Sequence, residues 1–240
     1  RAFAENEIRP VAAQLDNDQV FPTEIYRNAA KTGLFGVSIP DSEGGVGADV
    51  LAYAIVMEEI SRGYAAVADE LGNVEMVGTL LAQHGTAEQK ERYLKPLLSG
   101  EAICAFAITE AEAGSDVSGI HTTATRDGSA WLVSGEKLWI HNAPNFDFGV
   151  VLVRTNKEAG NRGMSTFLIE RKMPGIGSGR REHKMGQCAA QIGPISFDRV
   201  RLPKEALLGT ENRGFHQMMS VLEKGRIGIA SLSLGILRAA

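Results

Sequence analysis

The 240-residue chain is 44% hydrophobic and 22% charged, with a formal net charge of −4 and two cysteines, an ordinary globular composition. Without a run of Lys or Arg, that balance excludes a basic nucleic-acid-binding face, and no apolar stretch reaches the roughly 20 residues that span a bilayer. Cys104 and Cys188 make neither a disulfide framework nor a zinc site, which points to a reducing compartment, either the cytoplasm or, in a eukaryote, the mitochondrial matrix.

The first hundred residues read as helices. "PTEIYRNAAKTG" has Pro22 at a helix start and Gly33 at its stop, with Ile25, Tyr26, Ala29 and Ala30 on one face. "IPDSEGGVGAD" follows as a tight loop, because Pro40 and three glycines forbid a helix. In "ADVLAYAIVMEEISRG", Asp49 is the expected N-cap, Leu51, Ile55 and Ile60 point inward, and Gly63 is the stop. In "HGTAEQKERYLKPLLSG", Thr86 and Gln89 make a capping box, each side chain satisfying the other residue's free backbone donor.

From about residue 103 the period changes to that of strands, beginning with the apolar run "AICAFAI". "TTATRDGSAWLVSG" predicts a hairpin with Asp127-Gly128 at its turn. Strands follow at "FGVVLVRT", "STFLIER", "SGRREHKMG" and "PISFDRVRLP", which suggests a small antiparallel barrel or sandwich. A last helix starts after "LLGTENRG", with Met218, Leu222, Ile227 and Leu232 along one face. The expected class is a multi-domain α+β protein. It has an all-α N-terminal domain (1–102), a middle β domain (103–208) and the first helix of a C-terminal bundle (209–240) whose remainder is absent. The chain begins at Arg1 and stops at Ala240 within a helical pattern, so a missing targeting peptide carries little weight.

Common catalytic templates fail. No Gly-x-Ser-x-Gly elbow makes Ser115 a hydrolase nucleophile, and neither a His-Glu-x-x-His nor a phosphate-binding or nicotinamide-binding glycine loop is present. His84, His183 and His216 are scattered in polar or helical surroundings and read as solvated. His141, closing the run "KLWIHNA", stays open as ligand, acid–base group or core residue. In "AFAITEAEAGSD" an apolar strand runs into a Gly-Ser-Asp turn, which offers backbone N–H groups and a hydroxyl to a phosphate or the polar edge of a ring.

Taken in order, "IPDSEGGVG", "GTAEQKERYLKPLLSGE", "AFAITEAEAGSD", "TTATRDGSAWLVSGEKLWIHNA", "KMGQ", "ISFDRVRLPKEALLG" and "VLEKGRIGIASLSLGI" resemble the acyl-CoA dehydrogenase family along essentially the whole chain. The resemblance implies FAD between the β domain and the last helices, an acyl-CoA thioester as substrate and a 2-enoyl-CoA as product. It also implies an electron-transfer flavoprotein as electron acceptor and a homo-oligomer, tetramer or dimer. It places Phe106, Ile108 and Thr109 along the flavin, Gly114 and Ser115 at cofactor phosphate or thioester, and Trp139, Ile140 and His141 against the ring. Glu223 falls where the family contacts the pantetheine arm, and Arg226 near the base and thioester. The base of most members lies in the last helical domain. The alternative position, immediately before the arginine, is Gly225 here and cannot serve.

Three departures stand out. His141 replaces the family's Thr or Ser, whose hydroxyl bonds flavin N5. Ala111 replaces a common proline, and Cys188 and Gln191 stand where Arg and Asp are frequent. They keep two alternatives open beside the dehydrogenase: a flavin oxidase or monooxygenase on the same fold, and a partner subunit of a hetero-oligomer. The helix near 65–84 is expected to form the acyl pocket floor, with Glu75 either a surface charge or facing a polar acyl tail.

Overall fold

The computed structural model describes residues 1–240. Helices α1 (Ala12–Asp18), α2 (Thr23–Lys31), α3 (Val50–Ser61) and α4 (Ala65–His84) are followed by α5 (Ala87–Gln89), a π-turn (Lys90–Leu94) and α6 (Lys95–Leu98). The predicted caps are in place. Asp49 accepts the Ala52 N–H at 2.8 Å, and Thr86 and Gln89 complete the reciprocal box. Gln89 also donates to the carbonyls of Glu205 and Leu207 at 2.8 and 3.0 Å, tying this helix to the β region.

The face assigned to α3 needs correction. Tyr53, Met57 and Ile60 are buried, whereas Leu51 and Ile55 are 64% and 53% exposed. The segment is apolar all round, so its period does not select a face. The last helix, α7 (Gly214–Ala239), is corrected likewise: Met218, Val221, Gly228, Leu232 and Gly235 face inward, and Ile227 is exposed. Glycines carry much of this contact. A Cβ on Gly228 would strike Tyr53, and one on Gly235 would strike Glu58 and Ser61, so α3 and α7 meet backbone to side chain.

Strands β1 (Cys104–Ala107), β2 (Thr123–Asp127), β3 (Ala130–His141), β4 (Phe148–Arg154), β5 (Met164–Glu170), β6 (Ile176–Ser178), β7 (Ile192–Leu202) and β8 (Leu207–Leu208) form one sheet in the order β6-β7-β3-β2-β4-β5-β8, with β1 on β4. It is not wholly antiparallel, because β1 and β2 both pair β4 in parallel. The hairpin register pairs Asp127 with Ala130, so Gly128 and Ser129 occupy the turn centre, one residue beyond the predicted pair, and Gly128 supplies the positive φ of 60°.

The strand expected over "SGRREHKMG" ends at Ser178. Beyond it the partner strand presents Pro194, which has no N–H to continue the ladder. The pairing thins to two bonds, from the Gly179 and Glu182 N–H groups to the Pro194 and Ile192 carbonyls, before Lys184 Nζ donates to the carbonyls of Gln187 and Ala190 and the Cys188 N–H donates to Asp16.

Alternation along β4 splits the core in two. Phe148, Val150 and Leu152 pack with the helices, and Val151 and Val153 pack with Trp131, Phe167 and Phe197 inside the curled sheet. The first face sets the sheet against α4, and the functional residues gather where these layers meet.

Candidate functional site

A groove of about 500 Å³ lies between α3, α4 and α7. Met57, Met76, Leu222 and Ile229 give it apolar walls, and Tyr53, Asp69 and Arg226 place polar heads in it. The Tyr53 ring is 2% exposed. Burial, and less strongly the charges of Glu75 and Asp69, push its phenol well above the usual range, so it is a neutral hydroxyl at any working pH. Gly225 also lines the groove, where a side chain would crowd Met76.

The end of β1 is held from below by a buried ion pair. Lys137, with no exposed side-chain surface, donates to the Ile108 carbonyl at 2.8 Å and to Glu110 at 2.7 Å. Glu110 also accepts the N–H groups of His121 and Thr122. Burial outweighs the attraction of Glu110 and lowers the Lys137 ammonium to about 8. The Thr109 carbonyl accepts the Leu138 N–H at 2.9 Å, so β1's end and β3 are locked together.

Above this platform the predicted cofactor residues lie on two short segments. Phe106 and Thr109 are half-buried and Ile108 is buried, while Gly114 and Ser115 are exposed, with open space over Gly114. Trp139 sits in the bulge of β3 between Lys137 and Ile140, with φ 58°, and is 61% exposed. It is therefore not a core aromatic; that place belongs to Trp131, edge-on to Phe167. Ile140 is buried. An indole face, exposed hydroxyl and backbone donors, and an uncrowded glycine are a donor set that fits a flat heterocycle carrying phosphates.

His141 does not project freely from this platform. Its Nε2 lies 2.6 Å from Glu70 Oε1 and its Nδ1 3.3 Å from Asp69 Oδ2, both on α4. Burial opposes charge on the ring, but the two carboxylates outweigh it and raise its pKa to about 10. It is an imidazolium with both N–H groups spent, which leaves no ring donor for a flavin N5. Glu70 is 1% exposed and also accepts the Asn142 amide at 2.9 Å. Burial pushes the Asp69 carboxyl up, but the charge and hydrogen bond of His141 hold it below the usual range.

The other expected residues are spread out. Arg226 faces the groove, whereas Glu223 is exposed outside its lining. Glu75 is no surface charge: 1% exposed, it accepts the Ser38 N–H and hydroxyl at 3.1 and 2.5 Å and pairs with Lys224 at 3.5 Å. Cys188 and Gln191 bond to the N-terminal region, at Asp16 and the Gln19 carbonyl.

Sequence reading missed Tyr53, Asp69, Glu70 and Lys137. Three of these left a signal: Lys137 keeps the inward parity of Trp131 and Val133, and Asp69 and Glu70 interrupt the apolar run "AAVADELG".

The chain matches two family models, "Acyl-CoA dehydrogenase, N-terminal domain" over residues 1–101 and "Acyl-CoA dehydrogenase, middle domain" over residues 105–200. It is 41% identical over 242 residues to the short-chain specific acyl-CoA dehydrogenase, mitochondrial, of Bos taurus, covering 100% of this chain and 58% of the relative. It is 41% identical over 243 residues to the caffeyl-CoA reductase–Etf complex subunit CarC of Acetobacterium woodii, covering 100% and 64%. The structure of a glutaryl-coenzyme A dehydrogenase–glutaryl-CoA complex superposes with a TM-score of 0.95 at 37% identity, covering 99% of this chain and 61% of that one. The chain thus spans about three fifths of the length of these relatives.

Proposed function

Because the chain belongs to the acyl-CoA dehydrogenase family, a family of FAD enzymes, we propose that it takes part in the α,β-dehydrogenation of an acyl-CoA thioester to a 2-enoyl-CoA, with electrons leaving to an electron-transfer flavoprotein. The observation that carries this is the placement of an apolar groove beside an exposed aromatic platform. Asp69 in the groove wall bonds His141, two residues from Trp139. An acyl chain in the groove thereby comes close to a ring lying on the platform.

When bound, FAD supplies the hydride acceptor. Phe106, Thr109 and Trp139 would hold its ring, with Gly114 and Ser115 at its phosphates or at the thioester. The Lys137–Glu110 pair keeps the strand end fixed, so its donors need no reorganisation as the ring gains charge. An acyl chain lying between the apolar walls would displace water from them, which strengthens each polar contact with the thioester. Arg226, on the groove wall, offers a positive charge to the polar end of the substrate. The relative named as part of an Etf complex supports the flavoprotein as electron partner.

The test is direct. The full chain is purified, its flavin content measured, and the flavin absorbance followed on anaerobic addition of acyl-CoAs of graded size. Bleaching by at least one is expected. A preparation that binds no FAD, or that stays oxidised with all of them, refutes the proposal.

A further inference from the structure

We propose that the groove selects acyl groups that carry a hydroxyl, with Tyr53 and Asp69 as the pair that recognises it. This rests on the acyl-CoA reading above and deepens it by naming a substrate class.

Three polar side chains can meet a ligand in the groove. Arg226 is exposed and stands at its rim, whereas Tyr53 is 2% exposed and Asp69 is half-buried. Ser233 also lines the groove but turns its hydroxyl back to the Ile229 carbonyl at 2.9 Å. The Tyr53 hydroxyl bonds to nothing in the chain and opens on the groove. Two glycines frame it. A Cβ on Gly72 of α4 would lie 3.6 Å from its oxygen, and one on Gly228 of α7 would strike it. Larger residues at those positions would cover the tip of the phenol. Asp69 stands on the α4 turn before Gly72, a rise of about 4.5 Å. One of its oxygens meets His141 Nδ1 at 3.3 Å, and the other has no partner in the chain.

In an open groove, solvent bonds both groups. A plain hydrocarbon chain expels that solvent and replaces none of its bonds, so a phenol and a carboxylate oxygen are left unpaired at a cost in affinity. The group that satisfies both follows from what each can do. Asp69 only accepts, while the Tyr53 hydroxyl, kept protonated by its burial, donates or accepts. A carbonyl or carboxylate would turn its lone pairs on Asp69. An ammonium gains little, because His141 and Lys184 already set positive charge against Asp69 and Arg226 adds more on the same wall. A hydroxyl donates to Asp69 and accepts from Tyr53, and its two bonds, each about 2.7 Å, bridge the turn between them. The remainder of the acyl group is left to the apolar surface of Met57, Met76, Leu222 and Ile229. A site that bonds a hydroxyl discriminates against the analogue lacking it far more sharply than an apolar pocket discriminates by size.

Matched acyl-CoAs test the proposal through binding alone. Calorimetry is run anaerobically on the full chain carrying its flavin, reduced beforehand so that no turnover follows. One pair is hexanoyl-CoA against 6-hydroxyhexanoyl-CoA, and the other is 3-phenylpropionyl-CoA against 3-(4-hydroxyphenyl)propionyl-CoA. In at least one pair the hydroxylated member is expected to bind about 10–100-fold more tightly. Tyr53→Phe keeps the ring and removes only its hydroxyl, and should cut that preference to under about 3-fold. Asp69→Asn trades a charged acceptor for a neutral one and should reduce it part of the way. Equal affinities within both pairs overturn the proposal and leave the dehydrogenase reading standing. A preference that survives Tyr53→Phe undiminished overturns it as well, as does a chain that bleaches with other acyl-CoAs yet binds neither hydroxylated probe. A chain that binds no acyl-CoA at all fails the parent reading, and the proposal with it.

Discussion

Replacing Lys137 with Met removes the group that fixes the end of β1. The ammonium makes two hydrogen bonds, to the Ile108 carbonyl and to Glu110, with no exposed side-chain surface. Its loss strands a buried carboxylate with only two backbone donors. Breaking a buried pair in this way costs about 3–5 kcal/mol. Met refills most of the volume without a charge to desolvate, so the lower end, about 3 kcal/mol, is expected. Urea unfolding of the full chain at pH 7 measures it by linear extrapolation. Lys137→Met/Glu110→Gln should recover about 1–2 kcal/mol of the loss, since it removes the stranded charge. The pH dependence has a definite sign. With its folded pKa lowered from 10.5 to about 8, Lys137 binds fewer protons in the folded than in the unfolded state between those values. Wild-type stability from this group therefore rises with pH across that window, and the deficit of Lys137→Met widens there. A deficit under about 1 kcal/mol at pH 7 would show that the pair is not holding the strand end and would refute the reasoning.

Gly228→Ala places a methyl group against the Tyr53 hydroxyl. It should cost about 1–3 kcal/mol by overpacking and weaken acyl-CoA binding, both readable by thermal shift with and without ligand. Thr86→Ala removes half of the capping box and should cost about 1 kcal/mol. Gln89→Ala should cost more in the same urea titration, because it also frees the carbonyls of Glu205 and Leu207. His141 has its folded pKa raised from 6.5 to about 10, so its stabilisation is full below pH 6.5 and is lost as pH rises through about 10. His141→Gln should flatten that part of the stability–pH curve; an unaltered slope would mean that the ring is not charged in the fold.

Much of the architecture was legible because local chemistry and global fold agree. Asp49, Thr86 and Gln89 announce their caps through side chains that reach only their own turn. The short, nearly continuous apolar runs of β4 and β5 predict their strands, though not the parallel entry of β1 and β2 beside β4, which no local pattern encodes. The errors on α3 and α7 share one cause. Leu51, Ile55 and Ile227 look like core residues, yet the close contact is made by Tyr53, Gly228 and Gly235. A glycine that admits a neighbour carries no hydrophobic signal. The strand lost after Ser178 depends on Pro194, a partner that is recognised only once the register is known.

The deviation at position 141 is a case where sequence and structure explain each other. Taken by itself, a histidine in place of a hydroxyl residue suggests a changed contact with the flavin. On α4, Asp69 and Glu70 by themselves put two carboxylates against a layer that is otherwise apolar, a costly arrangement without a cation. The fold brings these features together across 71 positions of sequence, with His141 bonded to both carboxylates. Each then supplies what the other lacks: the carboxylates keep the ring charged, and the ring keeps Asp69 ionised at the groove. The histidine is thus better understood as the counter-ion that allows a carboxylate to stand in the groove between α3, α4 and α7 than as a substitute donor to the cofactor. That coupling has a measurable form. In a double-mutant cycle with Asp69→Asn and His141→Gln, the two losses of stability should be strongly non-additive, with an interaction energy of about 1–3 kcal/mol. Additive losses would mean that the ring and the carboxylate do not share a charge, and the account of position 141 would fail with them.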